Sequence, residues 1–504
     1  MLFNSIDFVF FFPVVIAIYF ATPHRYRWMW LLAASYYFYM CWRVEYIVLI
    51  VGSTLVDYFV AIQMDKQETQ EAKKPYLWLS VLVNLGILVS FKYFNFFSDS
   101  LRATFNYFNI FYDFPIFNVL LPVGISFYTF QTMSYTIDVY RGKTKPERHL
   151  GIFALYVSFF PQLVAGPIER SNHLLPQFRQ EFTFDYDRIK SGLQLMMWGF
   201  FKKIVIADRI GQYVDLVYSD PHSYQGYALL WASLFFGWQV YCDFSGYSDI
   251  AIGAAKVMGF DLMENFNRPF FSKTIAEFWR RWHISLSTWF RDYFYIPLGG
   301  SRTVKWRWYY NLFITFAVSG LWHGATWNHV IWGSMHGFYM VFAIWTYSLR
   351  DNFNTAIGLK KSPFLYKCVQ VFWMHFLLLI GWFVFRANGL GDTAYFFKNT
   401  FLLWDHTAEL LILLKGWLIG GTVTFGYILQ AIERALSWDL YFMFLSLAGI
   451  TFLECIHLIQ RKHKMRDLIN SQPTLVRWAI YVTAIIVILE FGVFNRDEFI
   501  YFQF

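Results

Sequence analysis

Two histidines with contrasting surroundings are the residues of this sequence best suited to chemistry. His323 stands in the run SGLWHGATWNHVIWGSMHG, whose other members are mostly apolar, aromatic or small. Residues 293–350 contain no Asp or Glu, so no carboxylate lies close to it in sequence. An ionisable side chain at membrane depth is costly and is a functional candidate for that reason. A dry site disfavours the imidazolium and leaves a neutral ring able to accept a proton. Gly324 beside it would let a substrate or another backbone come close. The structural alternative is a histidine bonded to a backbone carbonyl between helices. His283 stands in EFWRRWHISLSTWFRDYFYIPLGGSR, near Trp282 and Ser285. That stretch, with Arg280, Arg281, Arg291 and Asp292, is too charged to cross a bilayer. A contact with a polar substrate group at a tunnel mouth and a capping or interfacial role both suit His283. Arg280, Arg281, Arg291, Arg302, Lys305 and Arg307 would suit a phosphate-bearing donor or lipid headgroups equally. His329 and His336 share a helix face, but no carboxylate or cysteine accompanies them, so no metal is expected.

The elements that must position these groups are membrane helices. Hydrophobic residues make up 57% of the chain and charged residues 15%, against about 25% charged in a soluble domain. This excludes a globule solvated on all sides. At roughly 20 apolar residues per span, spans fit about 7–23, 28–42, 46–62, 76–97, 115–140, 189–207, 226–242, 245–260, 308–322, 327–347, 366–386, 409–430, 439–458 and 475–494. The run at 151–170 is interrupted by Pro161, Gly166 and Pro167 and reads as a broken or re-entrant helix. Irregular backbone at that depth must be buried in protein or line a cavity. The opening stretch has no basic region or cleavage signal, so it reads as the first span. Arg25, Arg27, Lys73, Lys74, residues 141–148 and residues 461–466 form basic loops expected in the cytoplasm. The last of these would carry the tail, residues 495–504, to the extracytoplasmic side. The net charge of +8 fits loops facing anionic lipid and does not call for nucleic acid. Cys41, Cys242, Cys368 and Cys455 show no metal spacing and read as core packing. Asp243, Ser245, Tyr247 and Asp249 lie between two apolar runs, and either line a cavity or pair with the arginines near 280.

Seven blocks in order then carry a resemblance: LPVGISFYTFQ (121–131), YVSFFPQLVAGPIER (156–170), YCDFSGYSDIAIG (241–253), ENFNRPF (264–270), FWRRWHISLSTWFRDYFYIPLGG (278–300), GLWHGATWNHVIWGSMHG (320–337) and GWFVFRA (381–387). The sequence resembles the membrane-bound O-acyltransferase family, in its bacterial branch that modifies cell-surface polymers, the alginate O-acetyltransferase membrane subunit being the nearest type. The resemblance implies an all-α polytopic protein, one domain over 1–504 with a catalytic core at about 115–390. It implies a ring of roughly 11–14 helices, some re-entrant or interfacial, around a membrane-spanning funnel. His323 would be the catalytic histidine and His283 the second polar residue. Asp243, Ser245, Asn267, Arg291, Trp322 and Asn328 are candidates for lining the tunnel. Tyr501, in the closing FIYFQF, is a candidate acyl carrier. The donor would be acetyl-CoA or another acyl thioester used as a substrate, with no resident cofactor. An extracytoplasmic SGNH-type partner would place the acyl group on an exported polysaccharide such as alginate. The location implied is the bacterial inner membrane. The alternatives are a glycan or lipid flippase without acyl chemistry, and a lipid or protein acyltransferase of the same family.

Overall fold

The structure is a computed structural model and describes residues 1–110, 112, 116, 121–419, 423–494 and 499. Among these residues it is built from helices, with no β-strand. Among the described residues, five helical segments are long and apolar enough to cross a membrane: Val44–Asp65, Gln70–Tyr107, Pro363–Arg386, Leu440–Ile459 and Thr474–Phe491. Ile6–Ala21 is apolar but shorter. The interrupted run at 151–170 is indeed broken, into Leu150–Ser158 and Phe160–Leu163. Residues 152–169 are all buried, as irregular backbone at this depth requires.

The expected spans 226–242 and 245–260 are a single helix, Tyr227–Met258, closed by Gly259 in the left-handed region (φ 109°). Asp243, Ser245 and Asp249 therefore lie within one continuous helix and not in a connection between two. A neighbouring helix makes this affordable. Tyr186–Phe200 continues through π-helical turns at Phe201–Ala207 into Asp208–Ser219. These turns bring Lys203 Nζ to 2.8 Å from both Asp208 and Asp243. Lys202 Nζ lies 2.8 Å from Asp249 and donates to Ser245 Oγ at 3.0 Å. The cations that meet Asp243 and Asp249 are thus these lysines, not the arginines near 280. Glycines let the two helices touch, Gly192 facing Gly253 and Gly199 facing Gly246. A Cβ on any of the four would come 2.6–2.8 Å from the facing glycine's carbonyl oxygen, the close approach that small residues permit between membrane helices.

The expected span at 409–430 is likewise two helices, Trp404–Leu418 and Phe425–Leu436. Among the cysteines, Cys242 is buried, whereas Cys41, Cys368 and Cys455 are exposed on the outer surface. An apolar sequence context marks lipid-facing positions as well as core ones, so it could not separate the two. The buried apolar side chains fall into two clusters. One contains Phe127, Phe130, Phe244 and Trp322, the other Phe278, Trp282 and Trp332 with Phe385. His323 lies at their seam, with its ring centroid 5.0 Å from Trp322 and 5.2 Å from Trp332.

Candidate active site

His323 is the last residue of helix Lys305–His323, and extended backbone at Gly324 ends that helix. The next helix, Trp327–Trp345, starts at the Thr326 N-cap, whose hydroxyl accepts from His329 N at 3.4 Å. The two helices form a hairpin with glycine at the crossing: a Cβ on Gly333 would lie 2.8 Å from Gly320 Cα. A Cβ on Gly324 would lie 2.5 Å from the His329 ring. The space beside His323 is therefore taken by His329, and the missing side chain of Gly324 serves packing.

His283 sits between the short helices Ile275–Trp279 and Ile284–Phe290, in the left-handed region at φ 46° and ψ 55°. Asn265 holds it there. Its backbone carbonyl accepts from Ile284 N at 2.9 Å. Its side-chain Oδ1 accepts from Ser285 N at 3.2 Å and Ser285 Oγ at 2.9 Å, and faces His283 Nδ1 at 3.1 Å. One amide thus fixes the ring and the first turn of the following helix together.

The two imidazoles, forty positions apart in sequence, meet with ring centroids 6.3 Å apart. His283 is fully buried and His323 exposes 2% of its surface. Rings enclose them: Phe244 at 4.7 Å and Phe127 at 6.2 Å from His283, Phe385 at 5.9 Å from His323, and Trp322 beside both. Among the described residues both imidazoles are buried in an aromatic cage. Chemically this sets two imidazoles side by side in mostly apolar surroundings.

The other residues singled out from the sequence divide clearly. Trp322 is part of the cage. Asp243 and Ser245 are one helix face away, engaged by Lys203 and Lys202. Asn267 is exposed, and its Oδ1 accepts from Arg268. Arg291 is exposed and paired with Asp292 at 2.7 Å. Asn328 is buried but turned to the end of helix Pro363–Arg386, donating to Val384 O at 3.1 Å and Ala387 O at 2.9 Å. His329 Nδ1 is 2.7 Å from Thr326 Oγ1, and His336 Nδ1 accepts from Trp279 Nε1 at 3.3 Å. Tyr501 lies outside the described residues. Phe499, however, is buried, with its ring 5.8 Å from Phe244 and 4.9 Å from Tyr247. Sequence reasoning missed Asn265 and Lys92, which donates to the backbone at His323. A lysine inside an expected span is a signal that could have found the second.

Among the described residues this is an all-helical protein with a sheltered histidine pair at the seam of its core, and its family makes it an O-acyltransferase. The chain belongs to the membrane-bound O-acyltransferase (MBOAT) family, whose profile matches residues 148–385, a range that includes both histidines. It is 42% identical to the probable alginate O-acetylase AlgI of Pseudomonas putida over 408 residues, 80% of this chain and 81% of that protein. It is 34% identical to the peptidoglycan O-acetyltransferase of Helicobacter pylori over 77% of this chain and 78% of that one. With the teichoic acid D-alanyltransferase of Bacillus subtilis it shares 31% identity over 45% of this chain and 60% of the other. A flippase without acyl chemistry is set aside by this membership.

Proposed function

We propose that the protein passes an acyl group, acetyl from acetyl-CoA, from the cytoplasm toward hydroxyls of an exported polysaccharide, with alginate the first candidate. The observation that carries the reading is the meeting of His283 and His323, both buried among aromatic rings. His323 acts as general base. It takes the proton of an attacking hydroxyl as that oxygen bonds to the thioester carbonyl carbon, which is efficient only for a ring held neutral and close. The tetrahedral species collapses with cleavage of the C–S bond, and the leaving thiolate recovers the proton from the imidazolium. His283, held by Asn265, orients donor or acceptor. The basic loops support a cytoplasmic donor entrance, and the loop at 461–466 supports a tail on the far side. The relatives' names support a glycan acceptor, and their bacterial sources are consistent with a bacterial inner-membrane location; the extracytoplasmic SGNH-type partner that would complete the transfer is what the family resemblance implies.

Radiolabelled acetyl-CoA supplied to membranes tests the reading directly. His323→Ala should leave a folded protein and lower transfer by about 100- to 10,000-fold, the usual contribution of a positioned base. Wild-type levels of transfer in that variant would remove His323 from the chemistry. Mass spectrometry of surface glycans with and without the protein identifies polymer and acyl group together.

A further inference from the structure

The span Gln70–Tyr107 widens into π-helical turns over Val89–Tyr93, an irregularity that concentrates at functional sites. Lys92 lies in these turns. Its Nζ donates to the carbonyl of Trp322 at 2.8 Å and to that of His323 at 3.1 Å. These are the last two carbonyls of helix Lys305–His323, which helix geometry leaves without intrahelical donors. A cation there also meets the negative end of the helix dipole. The ammonium lies 5.9 Å from the Trp322 ring centroid, within reach of a cation–π attraction. Further along the same span, Phe96 packs on Trp327 at 5.4 Å, so this span grips both arms of the histidine hairpin. A lysine at membrane depth is costly, and this one is spent on the two carbonyls at the end of the histidine's helix.

We propose that Lys92 is a positioning residue for acyl transfer: its ammonium clamps the backbone of Trp322 and His323 and so sets how the His323 ring meets His283 and the substrate. The proposal rests on the reading of His323 as the base. Trp322 is where a loosened clamp would be felt, because its ring contacts Phe127 at 5.4 Å, Phe130 at 5.5 Å and His283 at 5.9 Å. A shift there moves the wall of the chamber as well as the base itself.

The test compares wild type, Lys92→Met, Lys92→Arg and His323→Ala as full-length protein in membranes, following thiol release from acetyl-CoA over a range of donor concentrations. Lys92→Met should lower kcat by about 10- to 100-fold, the loss expected of a small misplacement, with the donor KM unchanged. Lys92→Arg, which returns a cation with several N–H donors, should regain most of kcat. A solely structural lysine would lower the amount and melting temperature of the protein while kcat per folded molecule stayed at wild type, and that outcome overturns the proposal. So does an arginine variant as slow as the methionine one. Wild type no faster than His323→Ala would defeat the base assignment itself, and the clamp with it.

Discussion

His283 holds a left-handed backbone at φ 46°, which costs a residue with a Cβ about 1–2 kcal/mol. The strain is offset by the Asn265 bonds that seat its ring. His283→Gly and His283→Ala both delete the ring and differ by one methyl, so their difference reads chiefly the backbone strain, set against glycine's greater unfolded-state entropy. The glycine variant should be the more stable by about 1 kcal/mol, measured by thermal unfolding in detergent, while both lose acyl transfer. An alanine variant equally stable would mean that the backbone relaxes once the ring is gone. At this scale the sequence marks His323 and His283 well, because an ionisable group in an apolar run or beside an arginine pair stands out by type alone. It does not say which amide of ENFNRPF turns inward. Asn265 is buried and Asn267 exposed, a choice made by backbone bonds from Ile284 and Ser285 that no spacing encodes.

Between elements, the legible and the hidden divide along hydropathy. Apolar length located the histidine hairpin and the helix ending at Arg386 within a few residues. It failed at Tyr227–Met258, because Asp243 and Asp249 look like a boundary unless one knows that Lys202 and Lys203 face them from the adjacent helix. That ion cluster is buried, so its balance is unforgiving. Lys203→Met removes the cation shared by Asp208 and Asp243 and should destabilise the detergent-solubilised protein by about 3–5 kcal/mol. Asp208→Asn, which keeps the Lys203–Asp243 pair, should cost clearly less. A second inter-element clasp lies outside the spans. Glu169 accepts from Met263 N at 2.6 Å and holds His173 Nδ1 at 2.9 Å, tying the loop that carries Asn265 to the broken helix. The Glu169 hydrogen bond raises the His173 pKa above the ordinary imidazole value, with burial opposing it. A raised folded-state value means this stabilisation is complete below the ordinary imidazole pKa and is lost as pH rises through the raised one. The melting temperature should therefore fall between about pH 6 and pH 8, and His173→Gln should flatten that decline.

Across the whole molecule, segments far apart in sequence converge on one wall of the chamber. Phe3 stacks on Tyr247 at 4.5 Å, Phe499 lies against the same ring at 4.9 Å, and Phe244 beside it touches His283 at 4.7 Å. The approach of the tail is anchored. Arg209 donates to Phe491 O at 2.6 Å, and Val493 N donates to Ile204 O at 3.1 Å, a carbonyl of the π-helical turns that also carry Lys202 and Lys203. This convergence is invisible to any local pattern; Tyr501, which the resemblance suggests as an acyl carrier, lies outside the described residues. A phenol with a pKa of about 10 is a weak nucleophile until a base removes its proton, the task that the proposed mechanism gives to His323. Tyr501→Phe keeps the ring and removes only the hydroxyl. Acylation of surface glycans, read by mass spectrometry, should fall to the level of His323→Ala while the protein melts at the wild-type temperature. Undiminished acylation would end the carrier role for Tyr501 and leave the acyl group to pass directly from the donor to the sugar or its partner.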